Sequence, residues 1–64
     1  MYRTIDKAHA LVKQADPNTA ITKYYIRKLA VQNQVRTLNT GKKVLVDIIS
    51  LQEVLNIALV KSNP

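Results

Sequence analysis

Apolar positions recur at helical spacing near the start of the chain. Ile5, Ala8, Val12 and Ala15 fall at i, i+3, i+7 and i+10, with Leu11 beside them. That stripe predicts an amphipathic helix from about Thr4 to Gln14, with Lys7, Lys13 and Gln14 off it. Thr4 is a suitable N-cap, and Asp6 lies in the first turn, where the helix dipole favours a negative charge. Asp16-Pro17-Asn18-Thr19 reads as a turn, because proline disfavours helical geometry in the residue before it. A second helix is predicted from Thr22, as N-cap, to about Gln32. Ile26, Leu29 and Ala30 form its apolar face, and Ile21 stands ahead as a hydrophobic staple. Asn33 suits the left-handed residue that ends such a helix.

The pattern then changes. Val35-Arg36-Thr37-Leu38 and Lys43-Val44-Leu45-Val46-Asp47 are β-branched runs around Asn39-Thr40-Gly41-Lys42, which predicts a hairpin. A lone hairpin of such short strands is marginal in water, so it must pack on the helices. Ser50-Leu51-Gln52-Glu53 matches a capping box and places the start of a third helix at Ser50. Leu51, Val54, Leu55 and Ala58 would face the core, while Ile57 and Val60 would point away. Those two are either loose ends or a small patch for a neighbouring copy. The polar tail Lys61-Ser62-Asn63-Pro64 is expected to fray. The order helix, turn, helix, hairpin, helix gives an α+β domain, and 64 residues leave room for only one.

Composition narrows the chemistry. A chain this short buries only about 60% of the surface its unfolded form exposes, so the core is thin. The absence of cysteine excludes disulfides and thiolate zinc sites and fits a reducing cytoplasm. His9 is the only histidine, and Asp6, Asp16, Asp47 and Glu53 are the only acids. So few groups make a hydrolytic metal site or an acid–base pair a poor expectation; no enzyme, cofactor, metal or small-molecule substrate is predicted. His9, four residues after Ile5 and beside the apolar stripe, reads as a half-exposed structural residue. No apolar run approaches a membrane span, and the N-terminus lacks the layout of a signal peptide. The expectation is a soluble cytoplasmic protein with no membrane partner.

Charge supplies the most informative feature. Ten Lys and Arg against four acids give a formal +6, which favours polyanionic partners. Between Pro17 and Val46 there is no acid at all, yet Lys23, Arg27, Lys28, Arg36, Lys42 and Lys43 all lie there. An ordinary exposed helix mixes signs for i,i+4 pairing, so this one-sided charge reads as a binding face. A helix of this kind can enter the major groove of DNA, with Thr22 and the first amides meeting phosphate oxygens. Lys23, Tyr24, Arg27 and Lys28 would then lie toward base edges or flanking phosphates. Lys42 and Lys43 at the hairpin tip would meet the adjacent backbone, although lysines there can also guard a sheet edge against aggregation. Arg36 is a further phosphate candidate. Tyr24 and Tyr25 are adjacent and cannot share a face; Tyr25, four before Leu29, is the partly buried one, and Tyr24 points outward. RNA is the weaker expectation, because only Tyr2, Tyr24 and Tyr25 offer rings for stacking on bases.

The stretch Ala20-Ile-Thr-Lys-Tyr-Tyr-Ile-Arg-Lys-Leu-Ala30, then Asn33-Gln-Val35, Thr40-Gly-Lys-Lys43 and Ser50-Leu-Gln-Glu-Val-Leu55, resembles the excisionase family. These are small winged helix-turn-helix proteins of phages and integrative elements, related to the DNA-binding domain of the mercury-resistance-regulator family. The resemblance runs from Thr4 to Leu55. It implies a winged helix-turn-helix with Lys23, Tyr24, Arg27 and Lys28 on the recognition helix and Lys42 and Lys43 in the wing. Family members bend or coat double-stranded DNA at recombination sites and steer an integrase toward excision; some double as repressors, and none is catalytic. This chain carries Asn33 where the family usually has glycine and Arg36 where a proline often follows. About seven residues also separate its first two helices, against the 3–4 of a tight helix-turn-helix. The expected function is sequence-specific DNA binding as an excisionase-like factor, several copies acting with an integrase. The alternatives are a repressor or a plasmid or phage accessory DNA binder of the same fold, and a module that binds an acidic protein partner.

Overall fold

The computed structural model describes residues 1–59. Among them, three helices and three strands follow in the order β1 (Tyr2–Thr4), α1 (Ile5–Ala15), α2 (Lys23–Val31), β2 (Thr37–Asn39), β3 (Val44–Asp47) and α3 (Ile48–Leu55). The chain is thus a small α+β protein in which the helices pack around an antiparallel sheet of order β1-β3-β2. No described helix is long and apolar enough to cross a membrane.

Local chemistry sets the first two helices. The Thr4 hydroxyl accepts the Lys7 amide at 3.3 Å, so α1 starts where its cap stands. The Thr22 hydroxyl accepts the Tyr25 amide at 3.1 Å and starts α2 the same way. Asn33, at φ 59°, ends α2 in a Schellman arrangement. The Gln34 amide donates to the Leu29 carbonyl at 2.9 Å and the Asn33 amide to that of Ala30 at 3.2 Å. These boundaries agree with the periodicity to within a residue or two. His9 is half-buried, and its Nε2 donates to the Ile21 carbonyl at 3.1 Å, which ties α1 to the connection before α2.

The core is one cluster: Ala8 and Val12 of α1, Ile26, Leu29 and Ala30 of α2, then Val35, Val46, Ile48 and Leu51. The hairpin pairs Thr37 with Val46, Leu38 with Leu45 and Asn39 with Val44. Val44 and Val46 fall on one face of β3 by its period of two; Val46 is in the core, and Val44 emerges at the open end near α2. At the tip the Thr40 amide donates to the Lys43 carbonyl at 3.0 Å, with Gly41 at φ 88°, where a side chain would be strained.

Three expectations need correction. The first segment is not helix alone, because Tyr2–Thr4 forms a strand paired Tyr2↔Asp47, Arg3↔Val46 and Thr4↔Leu45. That makes β3 the central strand. The third helix starts at Ile48, and its cap is Asp47, whose carboxylate accepts the Ile49 amide at 3.3 Å. Ser50 lies inside the first turn instead, where its hydroxyl accepts the Arg36 amide at 3.1 Å. The start one turn earlier also moves the apolar stripe. Ile48 and Leu51 are fully buried and Leu55 half-buried, whereas Val54 and Ala58 are exposed. Asn56 ends the helix at φ 56°, so Ala58 never joins it, and Ile57 turns back half-buried with its amide on the Gln52 carbonyl. Val60 and the polar tail lie outside the described residues.

Candidate nucleic-acid interface

α2 and the hairpin tip face each other across an open cleft of about 560 Å³. Lys23, Tyr24 and Arg27 line it from the helix, and Lys42, Lys43 and Val44 from the hairpin. The helix contributes them because its buried face is Ile26, Leu29 and Ala30, which turns residues 23, 24 and 27 outward. The hairpin contributes its lysines because the tip stands beyond the last paired residues, Asn39 and Val44. Four of the six bases of the acid-free stretch therefore surround one cavity although fourteen residues separate the two groups. Such a focused patch attracts a polyanion more strongly than the same charges dispersed.

The cleft is not free of acid, however. Asp6, from the first turn of α1, lines it and holds Lys23 through a 3.1 Å contact between Oδ1 and Nζ. The sequence has no acid near Lys23, but the packing of α1 against α2 supplies one. Both side chains are well exposed, so the pair is weak and salt-sensitive.

The remaining site residues divide. Thr22 caps α2 with its hydroxyl and lies beside Lys23, outside the cleft lining. Lys28 is exposed outside the cleft lining, in a shallow depression shared with Tyr24, Arg27 and Val31. Arg36 stands apart from both. It precedes β2, borders a different hollow with Tyr2, Asn33 and Ser50, and sits 3.7 Å from the Asp47 carboxylate. Tyr24 is 75% exposed and Tyr25 44%; Tyr25 leans toward Val54 and Leu55 along an apolar groove. One further residue of this face carries no charge to mark it in the sequence. Val31, the last residue of α2, is 73% exposed, and its position four after Arg27 and seven after Tyr24 was the available signal.

Compared with known proteins, the chain matches no protein-family model, no curated protein and no solved structure.

Proposed function

We propose that this protein binds double-stranded DNA in a sequence-specific way, as a winged helix-turn-helix whose recognition helix is α2 and whose wing is the β2–β3 hairpin. The observation that carries the reading is the cleft in which Lys23, Arg27, Lys42 and Lys43 converge from both elements. A helix lying in a major groove about 12 Å wide leaves a phosphate wall on either side. Lys28 serves one wall. Lys23, Arg27 and the two hairpin lysines serve the other. In keeping with the excisionase resemblance of residues 4–55, the role is architectural: copies of the protein shape a recombination site in the cytoplasm for an integrase, with no chemical step of their own.

The test is selection from random duplexes of about 30 base pairs at about 150 mM salt, followed by a salt titration on the selected site. With Lys23, Arg27, Lys28, Lys42 and Lys43 on phosphates, the log–log salt slope is expected near −4 to −5. Tandem direct copies of a short motif fit the architectural role, whereas a single inverted repeat converts the reading to a dimeric repressor. No enrichment together with a slope near zero removes DNA from the account.

Asp6 gives this reading an independent check. Bound DNA brings phosphate close to a carboxylate that already occupies Lys23. Asp6→Asn is therefore expected to tighten DNA binding about threefold to tenfold in low salt, with the gain fading as salt rises. Fluorescence anisotropy at two ionic strengths measures it. A loss of affinity would mean that Asp6 positions Lys23 rather than competing for it.

A further inference from the structure

Around α2 the outward face has a centre and two flanks. Each residue turns the helix by about 100°, so residues seven apart differ by only about 20°. Opposite the buried Ile26, Leu29 and Ala30, that rotation puts Tyr24, Lys28 and Val31 on the outward face, each within about 35° of its centre. Lys23 and Arg27 fall on the flank toward the hairpin, and Lys28 stands about 60° round from Val31 on its other side. Tyr24 and Val31 are also the most exposed large apolar side chains among the described residues, at 75% and 73%. A single exposed valine needs no explanation. A valine on the crest of a helix flanked by cations on both sides does, because phosphates have no use for it.

We propose that Val31 reads the C5-methyl group of a thymine in the major groove. The inference rests on the DNA-binding reading of the same face and adds what the face recognises. When the flanks meet phosphate walls, the crest meets the groove floor, where the thymine methyl is the one apolar feature on a base edge. Val31 borders two small hollows, one along the crest with Tyr24 and Arg27, the other toward the hairpin with Asn39 and Val44. Neither is filled by another side chain, so a methyl group can be covered there without displacing anything. Tyr24 and Val31 lie about 10 Å apart along the axis, or about three base-pair steps, so the valine contact falls at one end of a short recognised segment.

The test uses the selected duplex with each thymine replaced in turn by deoxyuridine, which removes the methyl group and nothing else. Wild-type protein is expected to lose about fourfold in affinity at one thymine, the worth of one buried methyl. Val31→Ala is expected to bind unmodified and substituted duplexes alike at that position. Its salt slope should match the wild type, because no phosphate contact is touched. Its melting temperature should not fall, because Val31 is exposed and alanine favours the helix. If no deoxyuridine position lowers affinity, or if Val31→Ala keeps the full loss, the inference fails while specific binding and its salt slope still support the DNA reading. If no duplex is selected and the salt slope is flat, both fall together.

Discussion

Replacing Arg27, Lys42 and Lys43 together by alanine is expected to weaken binding to the selected DNA site roughly a hundredfold at about 150 mM salt. Each phosphate contact contributes about 0.9 to the salt slope, and at that ionic strength the released counterion is worth about fivefold in affinity. Three contacts multiply to the stated loss, and the slope should become shallower by between two and three. All three side chains are exposed and none makes an ion pair among the described residues, so the fold should melt as before. Lys7→Ala with Lys13→Ala is the control for net charge. Both residues lie on α1 outside the cleft, and their loss should cost under about threefold. Equal losses in the two variants would mean that affinity follows total charge and that the cleft has no special place in it.

The second large effect concerns Asp47. Its side chain is 6% exposed and meets three groups: the Ile49 amide at 3.3 Å, the N-terminal ammonium at 3.3 Å and, more distantly, Arg36 at 3.7 Å. Its own amide donates to the Arg36 carbonyl at 2.9 Å, and its neighbour Ile48 donates to the Met1 carbonyl at 2.8 Å. One residue thus ends the central strand, starts α3 and holds β1 in register. Asp47→Ala removes an N-cap worth about 1 kcal/mol and a charge-assisted bond worth about 1.5–3 kcal/mol. The contact with Arg36, whose side chain is mostly exposed, adds little. A loss of about 2–4 kcal/mol consumes most of the roughly 3–5 kcal/mol that a domain of this size holds. Thermal melts should therefore show a fall of at least about 10 °C, or no cooperative transition. Ser50→Ala should cost under about 1 kcal/mol, since it loses one bond from the Arg36 amide and leaves the cap intact. A larger loss from Ser50→Ala than from Asp47→Ala would restore Ser50 as the cap.

Val31 and Asp6 show how far the candidate site could be read in advance. Lys23, Tyr24, Arg27, Lys42 and Lys43 are legible because the charge is confined to a stretch without acids and the helix has a clear buried face. Their meeting around one cleft is a tertiary fact, as is the separation of Arg36 from it. Asp6 could not be seen in that company, since sixteen residues of chain lie between it and Lys23 and only helix packing brings them to 3.1 Å. Val31 is visible in the periodicity of α2. Its exposure gains meaning only once the cations are seen to flank it.

By itself the sequence determined the elements whose signals are local. Thr4, Thr22 and Asn33 each satisfy backbone groups within a few residues, and the apolar period of α1 and α2 needs no distant partner. The hairpin is local in the same sense, joined by a short turn around Gly41. Only the tertiary structure decided the third strand and the start of α3. Tyr2–Thr4 is too short to announce itself, and it becomes a strand because β3, about forty residues on, offers it an open edge. Ser50 and Glu53 compose a sound capping box, and Asp47 supersedes it because that pairing fixes where β3 must stop. Ile48 and Ile49, strand-like by propensity, then form the first turn of α3, since burying Ile48 in the core outweighs a weak local preference.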